Sequence, residues 1–116
     1  MIAADRQLLT ESDFDAVLAR SREVDVLLFK HSTRCPISSA AFEEVAAYRN
    51  RRTGGVPEIA MVRVIEERPV SQAIAHRLSV RHESPQVILL RGGQPAGDLS
   101  HGAITVDGLA ELVGRG

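Results

Sequence analysis

Residues 30–45 read KHSTRCPISSAAFEEV and contain Cys35, the only cysteine of the 116-residue chain. The apolar run 26–29 before this stretch predicts a buried strand. Pro36 suits the first position of a helix, because its missing N–H would be unpaired there in any case. The sequence therefore places Cys35 where a strand gives way to a helix N-terminus. Unpaired N–H groups and the positive end of the helix dipole stabilise a thiolate at such a position relative to the thiol.

Ser38 follows Cys35 at the spacing of the second cysteine in a Cys-x-x-Cys redox motif. In such a pair the second thiol attacks the mixed disulfide that the first has formed, so a serine leaves that disulfide to an external thiol. The expected mechanism is therefore monothiol. The alternative is that Ser38 only offers its hydroxyl to nearby backbone in the first helical turn.

Length and composition limit the class of protein. A chain of 116 residues predicts one domain over residues 1–116. With 44% hydrophobic residues, 25% charged residues and a net charge of −1, it lacks the basic excess of a nucleic-acid-binding protein. No apolar run reaches the roughly 18 residues of a membrane span, and residues 1–10 show no export signal, so we expect a cytoplasmic protein without membrane partners. The sequence has one cysteine and no close pair of histidines, so we expect no metal site.

Hydrophobic periodicity predicts the remaining elements. Ser12 is the expected cap of the first helix, with Asp15 three residues later. Pro95 assigns the last strand to a sheet edge, because proline cannot donate to a neighbouring strand. Leu8 and Leu9 are expected to begin a short strand or to pack under the sheet. The elements predicted after them, in chain order, are a helix 12–21, a strand 26–29, a helix 36–52, a strand 59–64, a helix 69–78, strands 86–90 and 94–100, and a final helix capped by Thr105.

The order of these elements predicts the fold class. Alternating strands and helices indicate right-handed parallel crossovers, and a turn at Gly92-Gly93 adds an antiparallel hairpin. This is an α/β architecture in which helices flank a mixed central sheet, as in the thioredoxin fold. A small doubly wound parallel sheet is the competing architecture, and the hairpin argues against it. No glycine-rich phosphate loop follows a strand, so no nucleotide site is predicted.

The setting of Cys35 favours a reactive thiol. A lone cysteine is more often a small buried hydrophobe. Cys35 instead lies in a polar turn between Arg34 and Pro36, so we interpret it as a nucleophile. Arg34 is either a solvated side chain or a cation that stabilises the thiolate and receives an anionic group of the substrate.

Pro85 lies directly before the strand that follows the third predicted helix. An X–Pro bond is cis in about one case in twenty. In a thioredoxin-like fold, however, a proline at this position is usually cis and lies against the reactive cysteine, so we predict a cis bond. The backbone of Ser84 would then be free to pair with an extended substrate.

Three strings in the sequence, residues 29–38 (FKHSTRCPIS), 80–87 (VRHESPQV) and 98–102 (DLSHG), closely resemble the monothiol bacilliredoxin family. These are thioredoxin-like proteins of the bacillithiol system. The resemblance implies a cytosolic oxidoreductase that removes bacillithiol from S-bacillithiolated protein cysteines through a mixed disulfide on Cys35. Free bacillithiol would serve as the co-substrate thiol, with no bound cofactor, and a separate NADPH-dependent bacillithiol disulfide reductase would recycle the product. The carboxylates of the malate group of bacillithiol would bind Arg34 or Arg81.

Two other functions remain open. One is an iron–sulfur carrier similar to the monothiol glutaredoxins, although Pro36-Ile37 replaces the Gly-Phe of their Cys-Gly-Phe-Ser site. One thiolate per chain also cannot complete a four-cysteine ligand set. The other is a non-enzymatic redox adaptor, whose partner binding changes when Cys35 is modified.

Overall fold

A five-stranded sheet with helices on both faces forms the centre of the protein, in a computed structural model that describes residues 1–115. The predicted α/β architecture, with a mixed central sheet flanked by helices, is confirmed. The elements in chain order are β1 (Arg6–Gln7), α1 (Glu11–Arg20), β2 (Val26–His31), α2 (Pro36–Arg51), β3 (Glu58–Arg63), α3 (Arg68–Leu78), β4 (Gln86–Arg91), β5 (Gln94–Ser100), a 3₁₀ turn (His101–Ala103) and α4 (Val106–Arg115).

The strand order is β1-β3-β2-β4-β5. Strands β1, β3 and β2 are parallel to one another. β4 is antiparallel to β2, and β5 is antiparallel to β4. β2 is therefore the central strand, and all six of its residues are buried. β5 lies at the edge of the sheet, as Pro95 predicted.

Each face of the sheet carries its own hydrophobic core. Leu27 and Phe29 of β2 pack in the cluster that includes buried residues of α2 and α4, whereas Val26 and Leu28 pack in the cluster that includes buried residues of α1 and α3. This alternation follows from the period of two along a strand. Since β2 and β3 are parallel and β4 runs the opposite way, β2 and β3 end at the edge where β4 begins. The loops 32–35, 64–67 and 79–85 therefore meet at one edge of the sheet.

Asp5 fastens the N-terminal segment to the rest of the fold. Its carboxylate forms ion pairs with Arg49 and Arg52 and accepts a hydrogen bond from the Ile59 N–H at 2.8 Å. Burial raises the pKa of Asp5, but the hydrogen bond from Arg52, followed by those from the Ile59 N–H and Arg49, lowers it to about 2.

Two local predictions were wrong, and one of two alternatives at Leu8 was confirmed. Helix α1 begins at Glu11 and its cap is Thr10 rather than Ser12, because the Thr10 hydroxyl and the Asp13 carboxylate form a reciprocal capping box. The first strand is Arg6–Gln7, so Leu8 and Leu9 do not begin a strand. Leu8 instead packs under the sheet in the core, the second possibility that the sequence offered, whereas Leu9 is exposed. Strand β2 continues past residue 29 to His31, since its ladder with β3 extends to that residue.

Candidate active site around Cys35

Cys35 is the N-cap residue of α2, the position predicted for it. Its backbone is extended, with φ −115° and ψ 122°, and its carbonyl accepts the Ser39 N–H at 3.0 Å. Pro36 occupies the first turn, and the thiol makes no capping hydrogen bond. The residue is half-buried. The thiol therefore lies at the positive end of a 16-residue helix and is partly accessible to solvent.

The hydroxyl of Ser38 fastens the loop before Cys35 to the helix after it. Ser38 is fully buried, and its Oγ accepts the Ser32 N–H at 2.9 Å. The same oxygen lies 2.7 Å from Nδ1 of His31. The serine therefore binds nearby backbone, which is one of the two roles predicted from the sequence. The monothiol mechanism that its position suggests remains a prediction.

His31 completes this buried hydrogen-bond network. Its ring packs between Phe29 and Phe42, with centroid distances of 5.3 and 5.1 Å. Burial lowers the pKa of His31, and the negative charge of Glu66 acts in the opposite direction. In the neutral ring Nδ1 accepts the hydroxyl proton of Ser38, whose oxygen accepts the Ser32 N–H, so all three groups are satisfied. Sequence reasoning missed this role. One signal in the sequence could have predicted it: in a strand, His31 lies on the same face as Leu27 and Phe29, because every second residue shares a face.

Lys30 is the other buried polar residue of β2 that sequence reasoning passed over. Its side chain is fully buried, and Nζ has no hydrogen-bond partner among residues 1–115. By the alternation of the strand it belongs to the face that α1 and α3 cover. Burial lowers the pKa of Lys30 to about 8, against the opposing effect of Glu83. The sheet edge near Cys35 therefore holds the side chain of Lys30 away from water.

Arg34 is exposed beside Cys35, and its role as an anion receptor remains a prediction. Its backbone N–H is 3.5 Å from the Ser32 hydroxyl oxygen. The neighbouring Thr33 donates a hydrogen bond of 2.9 Å to Glu66, which joins the Cys35 loop to the loop between β3 and α3. The Thr33 hydrogen bond is the first cause of the lowered pKa of Glu66, and the charge of Arg34 contributes less.

The Ser84–Pro85 peptide bond is cis, the geometry predicted from the sequence. Pro85 is buried and precedes Gln86, the register partner of Lys30 on β2. The carbonyl of Pro85 accepts the His101 N–H at 3.0 Å, whereas the backbone of Ser84 has no backbone hydrogen bond to any described residue. Ser84 therefore lies at the same sheet edge as the Cys35 loop with its main-chain groups available. A second cis bond, Val56–Pro57, was not predicted.

Arg81 lies on the wall of an open cavity between α3 and residues 79–82. Its side chain is 92% exposed, and its ion pair with Glu83 is long, at 3.8 Å. Within residues 1–115, no three His, Cys, Asp or Glu side chains are grouped so as to hold a metal ion. None of the described helices is both long and apolar enough to cross a membrane.

Comparison with known proteins gives one family match and many matches of fold. The family model described as monothiol bacilliredoxin BrxC matches residues 6–109. A solved structure described as a proposed oxidoreductase with a thioredoxin fold is 30% identical, with a TM-score of 0.83, over 92% of this chain and 91% of that chain.

Thioredoxins show the same fold at lower identity. The thioredoxin of Fasciola hepatica is 19% identical with a TM-score of 0.73, over 95% of this chain and 97% of that chain. The thioredoxin NaTrxh of Nicotiana alata is 13% identical with a TM-score of 0.75, over 99% and 95%. The predicted thioredoxin fold is confirmed. The family and fold matches together support a thiol oxidoreductase.

Proposed function

Because this chain belongs to the monothiol bacilliredoxin family, we propose that it is a cytoplasmic thiol-disulfide oxidoreductase that removes bacillithiol from S-bacillithiolated protein cysteines. One observation carries the proposal. The only thiol of the chain is half-buried at a helix N-terminus, and the hydroxyl of Ser38, at the second motif position, is tied to His31 and Ser32 inside the fold.

The first step is a thiol-disulfide exchange at Cys35. The Cys35 thiolate attacks the bacillithiol sulfur of the protein mixed disulfide. The bond between bacillithiol and the substrate protein breaks, and a disulfide between Cys35 and bacillithiol forms. The substrate cysteine leaves as a thiolate and takes a proton from water. One disulfide replaces another, so no external oxidant or reductant enters this step.

The second step regenerates the thiol. A free bacillithiol thiolate attacks the bacillithiol sulfur on Cys35 and releases bacillithiol disulfide together with the Cys35 thiolate. Ser38 has no thiol with which to compete for this step. The disulfide product is reduced by a separate NADPH-dependent bacillithiol disulfide reductase, so the chain needs no bound cofactor.

The surface around the loop suits a protein substrate. Ile37 is 54% exposed two residues after Cys35, and Ile65 is 42% exposed beside Glu66, the hydrogen-bond partner of Thr33. These apolar side chains offer contact area to a substrate protein. The unpaired backbone of Ser84, next to cis Pro85, would add an extended substrate segment by main-chain hydrogen bonds, and Arg34 would receive a carboxylate of bacillithiol.

The test uses a substrate protein that carries bacillithiol on one cysteine, with both proteins followed by intact-mass spectrometry. Wild-type protein should take up the mass of one bacillithiol on Cys35 and lose it over many cycles when free bacillithiol is in excess. Cys35→Ser should show no transfer. Ser39→Ala, at an exposed position of the same helical turn, is the matched control and should behave as wild type.

Three results would contradict the proposal. Transfer by Cys35→Ser would remove Cys35 from the mechanism. Absence of transfer by wild type, combined with an absorbing iron–sulfur cluster after anaerobic reconstitution, would favour the carrier function instead. Single transfer without turnover in excess bacillithiol would indicate a redox adaptor.

A further inference from the structure

An open cavity of about 790 Å³ lies beside α3 at the edge of the sheet that carries Cys35. Its volume is in the range of small-molecule sites. The loop after β3 and residues 79–82 before cis Pro85 contribute to its walls, and both segments belong to this edge. The polar residues that line it are Arg68, Ser71, Gln72, His76, Ser79, Arg81 and His82.

The cavity is electropositive. No Asp or Glu residue contributes to its lining. Arg68 is exposed and has no ion pair with any of residues 1–115, and the single ion pair of Arg81 is the long contact with Glu83. Partial burial, followed by the positive charges of Lys30 and Arg68, lowers the pKa of His82, while Glu83 acts in the opposite direction. An anion entering the cavity therefore meets cations that lack close partners.

Two buried polar atoms on this side of the sheet also lack partners. Ser71 lines the cavity, is 2% exposed, and its Oγ makes no hydrogen bond to a described residue. The ammonium of Lys30 is buried without a partner, as described above. A buried polar group without a partner is costly and rare. Neither atom is itself accessible to solvent, so direct contact with a ligand in the cavity falls to Arg68 and Arg81.

We propose that this cavity binds the carboxylate-bearing end of the small thiol whose sulfur reacts at Cys35. The inference rests on the proposed function and adds Arg68 to the binding residues. The planar guanidinium suits two-point binding of a carboxylate. The malate group of bacillithiol carries two carboxylates, and the cavity presents two arginines, Arg68 and Arg81.

The first experiment measures binding without the reaction. L-malate is titrated into the reduced, full-length ¹⁵N-labelled protein, and chemical shifts are followed by NMR. The largest shifts should fall at Ser71, Gln72 and His82. They should persist in Cys35→Ser and weaken roughly tenfold in apparent affinity in Arg68→Ala, the loss expected for one charged hydrogen bond.

Control titrations separate the cavity from a general effect of charge. Arg51→Ala removes the same charge from an exposed site on α2 and should bind malate as wild type does. Equal affinity of wild type and Arg68→Ala, or shifts that avoid the cavity, would overturn the proposal. Inorganic phosphate producing the same shifts at equal affinity would also overturn it, because the site would then select any oxyanion.

The second experiment links the cavity to the reaction. For Arg68→Ala, the ratio of kcat/KM for bacillithiol to that for β-mercaptoethanol, which has no carboxylate, should fall roughly tenfold through a higher KM for bacillithiol. Arg81→Ala should lower the same ratio, and an unchanged ratio in both variants would reject the cavity. Malate binding without transfer would reject only the proposed function. Transfer by wild type with no effect of Arg68→Ala would reject only the cavity.

Discussion

Replacing Lys30 with methionine should stabilise the protein, because the substitution removes a buried ammonium that has no hydrogen-bond partner among residues 1–115. Burial lowers the pKa of Lys30 from 10.5 to about 8. At about 1.4 kcal/mol per pH unit, this difference corresponds to a penalty of at most about 3.5 kcal/mol for holding the charge in the fold. The opposing effect of Glu83 is already included in this pKa. We therefore expect Lys30→Met to raise the free energy of unfolding at pH 7 by about 1–3 kcal/mol.

The assay is denaturation in urea at several pH values for wild type and Lys30→Met. Between pH 8 and 10.5 the unfolded chain binds the Lys30 proton and the folded chain does not, so wild-type stability rises with pH over this window. The advantage of Lys30→Met should be complete below pH 8 and should shrink toward pH 10.5. Comparing the two proteins at the same pH cancels the contributions that other titrating groups make to the free energy of unfolding. Arg51→Met, which removes an exposed cation, should change stability by less than about 0.5 kcal/mol.

Two results would refute this reasoning. Lys30→Met could prove no more stable than wild type at pH 7, or its advantage could stay constant from pH 7 to 10.5. Either result would mean that the Lys30 ammonium remains solvated in the fold. If instead the variant is more stable but binds malate more weakly, the lysine contributes positive potential to the cavity at a cost in stability.

Three further substitutions test other parts of the fold by urea denaturation. Ser38→Ala leaves the buried N–H of Ser32 unpaired and should cost about 2 kcal/mol, whereas a loss below about 0.5 kcal/mol would show that the hydroxyl is dispensable. Asp5→Asn should lower the free energy of unfolding by about 1–2 kcal/mol at pH 6. The loss should fade as the pH drops from 4 toward 2, because the pKa of the folded Asp5 carboxyl is about 2. A loss independent of pH would contradict this. In α4, Gly108→Ala should destabilise by about 1–3 kcal/mol because its Cβ would lie 2.6 Å from the Ala103 carbonyl oxygen. Gly114→Ala, with no atom within 4 Å, should be neutral or stabilising by up to about 1 kcal/mol, and equal effects at the two glycines would argue against the clash.

Local signals predicted most of the fold. The apolar run 26–29, Pro36 and the Gly92-Gly93 turn each act within a few residues, and they were enough to place the central strand, the capped helix and the hairpin. The error at the start of α1 has the same local origin. Thr10 with Asp13 and Ser12 with Asp15 are two candidate caps of the same spacing, and the sequence does not rank them.

The parts that could not be predicted depend on long-range contacts. Lys30 and His31 are polar and follow the apolar run that predicted the strand, and they are buried because helices cover both faces of the central strand β2. The partner of the Ser38 hydroxyl lies seven residues away on β2, so it is defined only once the loop has folded back. The cavity likewise exists only after α3 packs beside residues 79–82.

The single thiol makes the protein dependent on its surroundings. With Ser38 in place of a second cysteine, no internal disulfide can form, so a capped Cys35 stays capped until another thiol arrives. The rate of that second step is proportional to the concentration of free small thiol in the cell. The fraction of chains that stand capped at any moment should therefore report how well the cell's pool of reduced thiol is being replenished.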